Sequence, residues 1–251
     1  MSGFAPDHPG AEIRVSPNFG PRANGVAPDM IILHYTGMES GPGAEAWLCD
    51  PRSEVSSHYL VHEDGQVVQM VREGDRAWHA GKSSWKGIVD VNSHSVGIEI
   101  VNPGHGLGYP PFPDAQIEAV IALCAGIAAR HAVAPERVLA HSDVAPGRKI
   151  DPGENFPWDR LHAAGIGFHV PPVPPCGGPY LGVGAEGSPV ERVQSMLALY
   201  GYGVEITGLF DSLTRRVVDA FQRHFRPARV DGVVDASTVA TLELLLKSLA
   251  R

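Results

Sequence analysis

Several features are missing from this chain, and each absence removes a class of protein. No stretch approaches the roughly 18 consecutive apolar residues of a membrane-spanning helix. The opening residues, Met1-Ser2-Gly3-Phe4-Ala5-Pro6-Asp7-His8-Pro9, have neither the basic segment nor the apolar core of an export signal. Cysteine is scarce: Cys49, Cys124 and Cys176 are odd in number and far apart, with no C-x-x-C pair. A disulfide framework is therefore unsupported. Cys124, at the end of Val120-Ile121-Ala122-Leu123, reads as a small buried hydrophobe. Positive charge is in deficit as well. Twenty Lys+Arg against 28 Asp+Glu give a formal net charge of −8, which argues against nucleic acid as a partner. These absences lead to the expectation of a cytoplasmic globular protein. The periplasm is the alternative if the chain leaves by another route or its start site differs.

What is present divides unevenly along 251 residues. Residues 1–177 carry 12 Lys+Arg and 20 Asp+Glu, whereas residues 178–251 carry 8 of each. The acidic surplus belongs to the first part, and a composition break near 170–180 follows. There the chain runs through Pro171-Pro172-Val173-Pro174-Pro175 and becomes glycine-rich, the composition of a semi-rigid linker. We therefore expect three parts: 1–169, a linker at 170–187, and 188–251.

In the first part, apolar runs predict strands at 30–34, 57–62, 66–71, 95–101 and 138–141, with Glu63-Asp64-Gly65 supplying hairpin-turn chemistry. Residues 114–131 have apolar positions at helical spacing. Strands mixed with a long helix predict an α/β fold, a mixed central β-sheet flanked by helices. The last part shows three helical patterns, 189–200, 212–225 and 236–249, with Asp211 and Asp235 where N-caps are wanted. That is a small three-helix domain.

Two segments carry the chemistry. His34 ends the run Met30-Ile31-Ile32-Leu33, and His141 ends Val138-Leu139-Ala140, so each imidazole emerges from a buried strand. Asp151 stands ten residues beyond His141. Two imidazoles and one carboxylate form a three-ligand zinc set with one position open for water, the pattern of a hydrolytic metal. Lys149 and Asp151 share one face of an extended segment, with Ile150 on the other. Glu99 alternates with Val96, Ile98 and Ile100 and so stands opposite the apolar face of its strand. That face suits a solvated residue as well as a cleft residue. His58 reads as a core or hydrogen-bonding histidine, although His58 and His62 lie two apart on one strand face and a second metal there is the weaker alternative.

These residues sit within motifs that resemble the zinc-dependent N-acetylmuramoyl-L-alanine amidases of the type-2 amidase family, relatives of the peptidoglycan-recognition proteins. The matching pieces are Ile32-Leu33-His34-Tyr35-Thr36, Val55 through Val61, Ala77-Trp78-His79-Ala80-Gly81, Val96 through Asn102, His141 through Gly153, and then Phe156-Pro157-Trp158. The resemblance implies one zinc ion per chain on His34, His141 and Asp151, with Glu99 as catalytic carboxylate and Lys149 as catalytic cation. It also implies a peptidoglycan-recognition-protein-like fold. His79 is expected to line the cleft and bind substrate. Trp78 and Trp85 either pack under substrate or are structural. Asn102 stays unassigned.

Residues 188–246 are similar to the peptidoglycan-binding domain 1 family, through Val190 to Tyr202, Gly208-Leu209-Phe210-Asp211 and Val230 to Thr238. Together the two resemblances imply hydrolysis of the amide between N-acetylmuramic acid and L-alanine, in peptidoglycan or in muropeptides. A non-catalytic peptidoglycan-recognition module on the same fold is the rival reading. Such modules resemble the family without the metal ligands, whereas this chain keeps all three beside Glu99 and Lys149.

Overall fold

The computed structural model describes residues 4–175, 177 and 180–250; Cys176 lies outside them. Six strands form the main sheet: β1 (Glu12–Ile13), β3 (Met30–Tyr35), β4 (Tyr59–Val61), β5 (Val67–Gln69), β7 (Ser95–Ile100) and β8 (Val138–Ala140). Their spatial order is β1-β5-β4-β7-β3-β8. The β3–β7, β3–β8 and β4–β7 pairs are parallel, and only β4–β5 is antiparallel. A two-stranded ribbon joins β2 (Phe19–Gly20) to β6 (Arg76–Ala77). The fold is thus a mixed sheet flanked by helices.

Parallel strands covered on both faces read as near-continuous apolar runs. The central strand β3 fits this: from Met30 through Leu33 every side chain is fully buried. Alternation then sends Ile31 and Leu33 to one face and Met30 and Ile32 to the other. The first face packs on α3 (Asp114–His131) through Ile117, Val120, Leu123, Cys124 and Ile127. Gln116, on the same helix, donates its amide to the carbonyls of Val61 and Val101 and pins α3 to two strands.

The second face is covered from the other end of the chain. Met30, Ile32 and Leu139 share one apolar core with Val190, Val193 and Leu197 of α6 (Ser188–Tyr200), with Val217, Val218 and Phe221 of α7 (Ser212–Phe225), and with Leu242 and Leu245 of α8 (Ala236–Leu249). Asp211 and Asp235 cap α7 and α8 by accepting the Thr214 and Thr238 amides, each at 2.7 Å. Trp85 is fully buried in this shared core, edge-on to Tyr200 and Tyr202 at 5.5 and 5.1 Å. Of the two readings open to it, the structural one holds. The proline-rich approach is tied down too: Val173 donates to Thr241 and accepts from Ser237.

The short elements α1 (Gly41–Leu48), α2 (Val91–His94), α4 (His141–Val144) and α5 (Trp158–Ala163) complete the fold. Residue 141, expected to end a strand, instead opens α4, so β8 stops one residue short of His141. No helix among the described residues is long and apolar enough to cross a membrane.

Candidate metal centre and cleft

In parallel sheets the carboxyl ends of strands open onto crevices where ligands bind. Here β3, β7 and β8 deliver His34, Glu99 and His141 to that edge, and the register sets His34 directly beside Glu99. Two of the ligand candidates, His34 and His141, are 107 residues apart in sequence, yet their Nδ1 atoms lie 2.8 Å apart. Asp151 Oδ2 lies 3.1 Å from the first and 2.9 Å from the second. All three side chains are buried, and among the described residues they are the one group of three with metal-ligand spacing. His58 and His62 do not join them. Asp75 and Arg22 face His58, and Glu45 faces His62.

The hydrogen bonds around the histidines decide whether the set suits a cation. Nε2 of His141 is 3.1 Å from the Ala80 carbonyl, which can only accept, so this nitrogen carries the proton. Nε2 of His34 is 3.0 Å from Nδ1 of His79. The Ser95 hydroxyl donates to the Val91 carbonyl at 2.6 Å, so it accepts from Nε2 of His79 at 3.2 Å. That leaves Nδ1 of His79 as the acceptor and Nε2 of His34 as its donor. Both ligand candidates thus turn bare Nδ1 lone pairs toward a carboxylate oxygen. Three electron-rich atoms this close repel one another unless a cation lies among them, so the donor set fits a divalent metal.

Electrostatics point the same way. Burial, the largest cause, pulls His34 down to about 4, so its imidazole is neutral and ready to ligate. Burial and then the Asp151 charge push Glu99 well above the usual carboxylate range, with Lys149 partly opposing them. Oε2 of Glu99 is closed from solvent and has no hydrogen-bond partner among the described residues.

A cleft of about 390 Å³ opens over the set. Glu99, Lys149 and Trp78 line it with the three ligand candidates, so the structure gathers the expected site residues at one place. His79 also borders the cleft, but both of its ring nitrogens are engaged inside the protein, by His34 and Ser95. A substrate-binding role for it has no free polar atom to use. Asn102 is structural: its side chain donates to the Pro110 carbonyl and accepts from the Gly104 amide.

Sequence reasoning missed part of the lining. Helix α1 carries Ala44, Trp47 and Leu48 to the cleft, and Trp47 is 45% exposed there. The available signal was Ser40-Gly41-Pro42, a capping serine with proline in the first turn, and Ser40 Oγ does accept the Gly43 amide. Tyr35 and Arg148 were missed as lining residues as well.

A buried pair of histidines with one carboxylate, at the carboxyl edge of a parallel sheet and beside an unpartnered glutamate, is the build of a mononuclear metal hydrolase. Comparison with known proteins narrows that class. The family described as N-acetylmuramoyl-L-alanine amidase matches residues 24–154, and a putative peptidoglycan binding domain matches residues 186–242. The chain is 40% identical over 232 residues to N-acetylmuramoyl-L-alanine amidase AmiD of Escherichia coli, spanning 87% of this chain and 82% of that protein. It is 32% identical over 165 residues to the 1,6-anhydro-N-acetylmuramyl-L-alanine amidase AmpD of Enterobacter cloacae, spanning 59% of this chain and 86% of AmpD. Among solved structures, E. coli AmiD in complex with anhydro-N-acetylmuramic acid-L-Ala-D-gamma-Glu-L-Lys aligns with a TM-score of 0.75 and 36% identity, covering 94% of this chain and 93% of that one. AmpDh3 of Pseudomonas aeruginosa, in complex with anhydromuramic pentapeptide, aligns at 0.71 with 29% identity, covering 94% and 96%. The chain belongs to the N-acetylmuramoyl-L-alanine amidase family and carries a C-terminal peptidoglycan-binding domain.

Proposed function

We propose that this chain is a zinc-dependent amidase that cleaves the bond between the lactyl carbonyl of N-acetylmuramic acid and the amine of L-alanine. The observation that carries the reading is the convergence of two bare Nδ1 atoms and the Asp151 oxygen beneath a cleft that also holds Glu99 and Lys149. A non-catalytic recognition module would have no use for that buried arrangement. Its relatives AmiD and AmpD are named as amidases, and two of the aligned structures hold anhydromuramyl peptides.

Zinc on His34, His141 and Asp151 would supply a bound water whose pKa falls to about 7 and a Lewis acid for the carbonyl. Glu99, raised by burial, is suited to take a proton from the attacking water and return it to the departing amine. Lys149 offers an ammonium to the oxygen that gains negative charge as water adds to the carbonyl carbon. The C–N bond then breaks, giving a lactyl carboxylic acid and a free L-alanyl amine. Trp47 and Trp78 line the cleft and offer apolar surface to the substrate. The C-terminal domain supports wall polymer, as well as soluble muropeptides, as the partner.

The test is product analysis. Purified protein is incubated with intact sacculi and with anhydro-muropeptides, with and without a chelator, and the products are weighed by mass spectrometry. Free stem peptides beginning with L-alanine, lost on chelation, are expected. Glycan fragments or cross-link cleavage products in their place would overturn the reading.

A further inference from the structure

The segment His79-Ala80 touches both histidines of the metal set, although one lies in β3 and the other opens α4. The His79 ring accepts from Nε2 of His34, and the Ala80 carbonyl accepts from Nε2 of His141. One side chain holds the segment itself: Oδ1 of Asn92 accepts the backbone amides of His79 at 3.1 Å and Ala80 at 2.8 Å. Arg148 anchors the Ala80 carbonyl from the other side through its guanidinium and also donates to the Lys82 carbonyl. The His79 ring lies flat enough against β7 that a Cβ at Gly97 would sit 2.5 Å from its Cγ. Only glycine in that strand leaves room for the ring.

Resting on the metal-site reading above, we propose that His79 is a positioning residue that fixes His34 as the Nε2–H tautomer and so keeps its Nδ1 lone pair turned to the metal. The relay runs from the Val91 carbonyl, through the Ser95 hydroxyl and the His79 ring, to His34. The carbonyl can only accept, while the hydroxyl and the two neutral rings each have a donor and an acceptor to place, and only one assignment satisfies all of them. Were His79 to carry its proton on Nδ1, His34 would have to accept at Nε2 and carry a proton at Nδ1, where the metal belongs. Outer partners of metal-bound histidine do this work generally, and losing one commonly costs about 10–100-fold in metal affinity.

The test measures zinc affinity of the full chain by competition with a chromophoric chelator, with circular dichroism as a folding control. His79→Leu removes the acceptor and should weaken zinc binding by about 10–100-fold. His79→Asn places a carbonyl oxygen near the position of Nδ1 and should restore affinity to within about threefold of the parent. A Leu variant that binds as tightly as the parent overturns the proposal. So does an Asn variant that binds as weakly as Leu, because the ring would then matter only for packing. If both variants unfold, Ser95→Ala decides the matter. It keeps the ring and removes only the acceptor of its Nε2–H, so affinity should fall about three- to tenfold, and unchanged affinity overturns the proposal. A parent chain that binds no zinc would instead remove the metal-site reading beneath it.

Discussion

Two buried carboxylates, Asp151 and Glu73, each face histidine, and they are built for opposite ends. Glu73 is 3% exposed and fully answered: Oε1 accepts from the Tyr59 hydroxyl and Arg130, and Oε2 accepts from Arg130 and His131. One partner is a permanent cation, and every donor's hydrogen points at the carboxylate. Among the described residues, Asp151 has no arginine as a hydrogen-bond partner. Its two histidines have spent their N–H groups on His79 and Ala80, so the nitrogens that face it are bare. A buried ion pair is ordinary structure; a buried carboxylate facing lone pairs is a site that wants a cation. The direction in which neighbouring hydrogens point separates the two more sharply than burial or residue type does.

The largest test of that contrast is removal of each carboxylate. Asp151→Ala should cost zinc binding more than the roughly 100-fold expected for an outer partner and should abolish amidase turnover, with the fold retained by circular dichroism. Glu73→Gln should leave zinc stoichiometry and turnover per folded molecule unchanged. Equal zinc loss in both variants would erase the distinction.

Within the cleft, next in size, Lys149→Ala and Glu99→Gln should each lower kcat by about 10²–10³ while zinc stays bound. Lys149 also opposes the burial that raises Glu99. Removing that cation disfavours the ionised carboxylate, so the acid limb of residual activity in Lys149→Ala should move to higher pH. A limb that stays put would mean that Glu99 is not the group being titrated.

Glu73 has its own signature in acid. Burial pushes its carboxyl up, but hydrogen bonds from Arg130, Tyr59 and His131 outweigh this and bring it to about 2, against 4.5 for the free group. A depressed carboxyl contributes stability above its unfolded pKa, and that stability is lost as pH falls through the folded one. The shift corresponds to about 3 kcal/mol. Denaturant unfolding should show it eroding between pH 4.5 and 2, and Glu73→Gln should flatten that dependence.

Much of this was legible in the sequence because two of the ligand candidates, His34 and His141, end apolar runs, and a buried run fixes where the next side chain emerges. The long amphipathic helix at 114–131 and the capping aspartates Asp211 and Asp235 were legible for the same local reasons. The outer shell was not. His79 does border the cleft but read as a substrate-binding residue, because its ring contacts with Ser95 and His34 are set by the fold rather than by spacing along the chain. Trp85 was open to two readings because its partners, Tyr200 and Tyr202, lie beyond the proline-rich segment, in a core that only the folded chain brings together. Helix α1 escaped because eight residues around two glycines and a proline give little periodicity.

The smallest expected effect tests a third carboxylate, where the two matched families meet. Asp143 is fully buried two residues after His141. Its Oδ2 accepts from the Ala140 amide and from Nδ1 of His224, and its Oδ1 accepts from the Tyr202 hydroxyl at 2.7 Å. Burial and the Asp143 charge raise the Tyr202 phenol well above its ordinary range, so the hydroxyl keeps its proton and remains a donor. By the rule drawn from Glu73, donors aimed at the carboxylate make this a structural junction. Tyr202→Phe keeps the ring against Trp85 and removes one hydrogen bond, so unfolding free energy should fall by about 1–3 kcal/mol. Zinc affinity should not change, because the His141 ring is held through Ala80 rather than through Asp143. If zinc affinity fell along with stability, α4 would be transmitting the C-terminal contact to the metal, and the separation between structural and ligating carboxylates would fail at this residue.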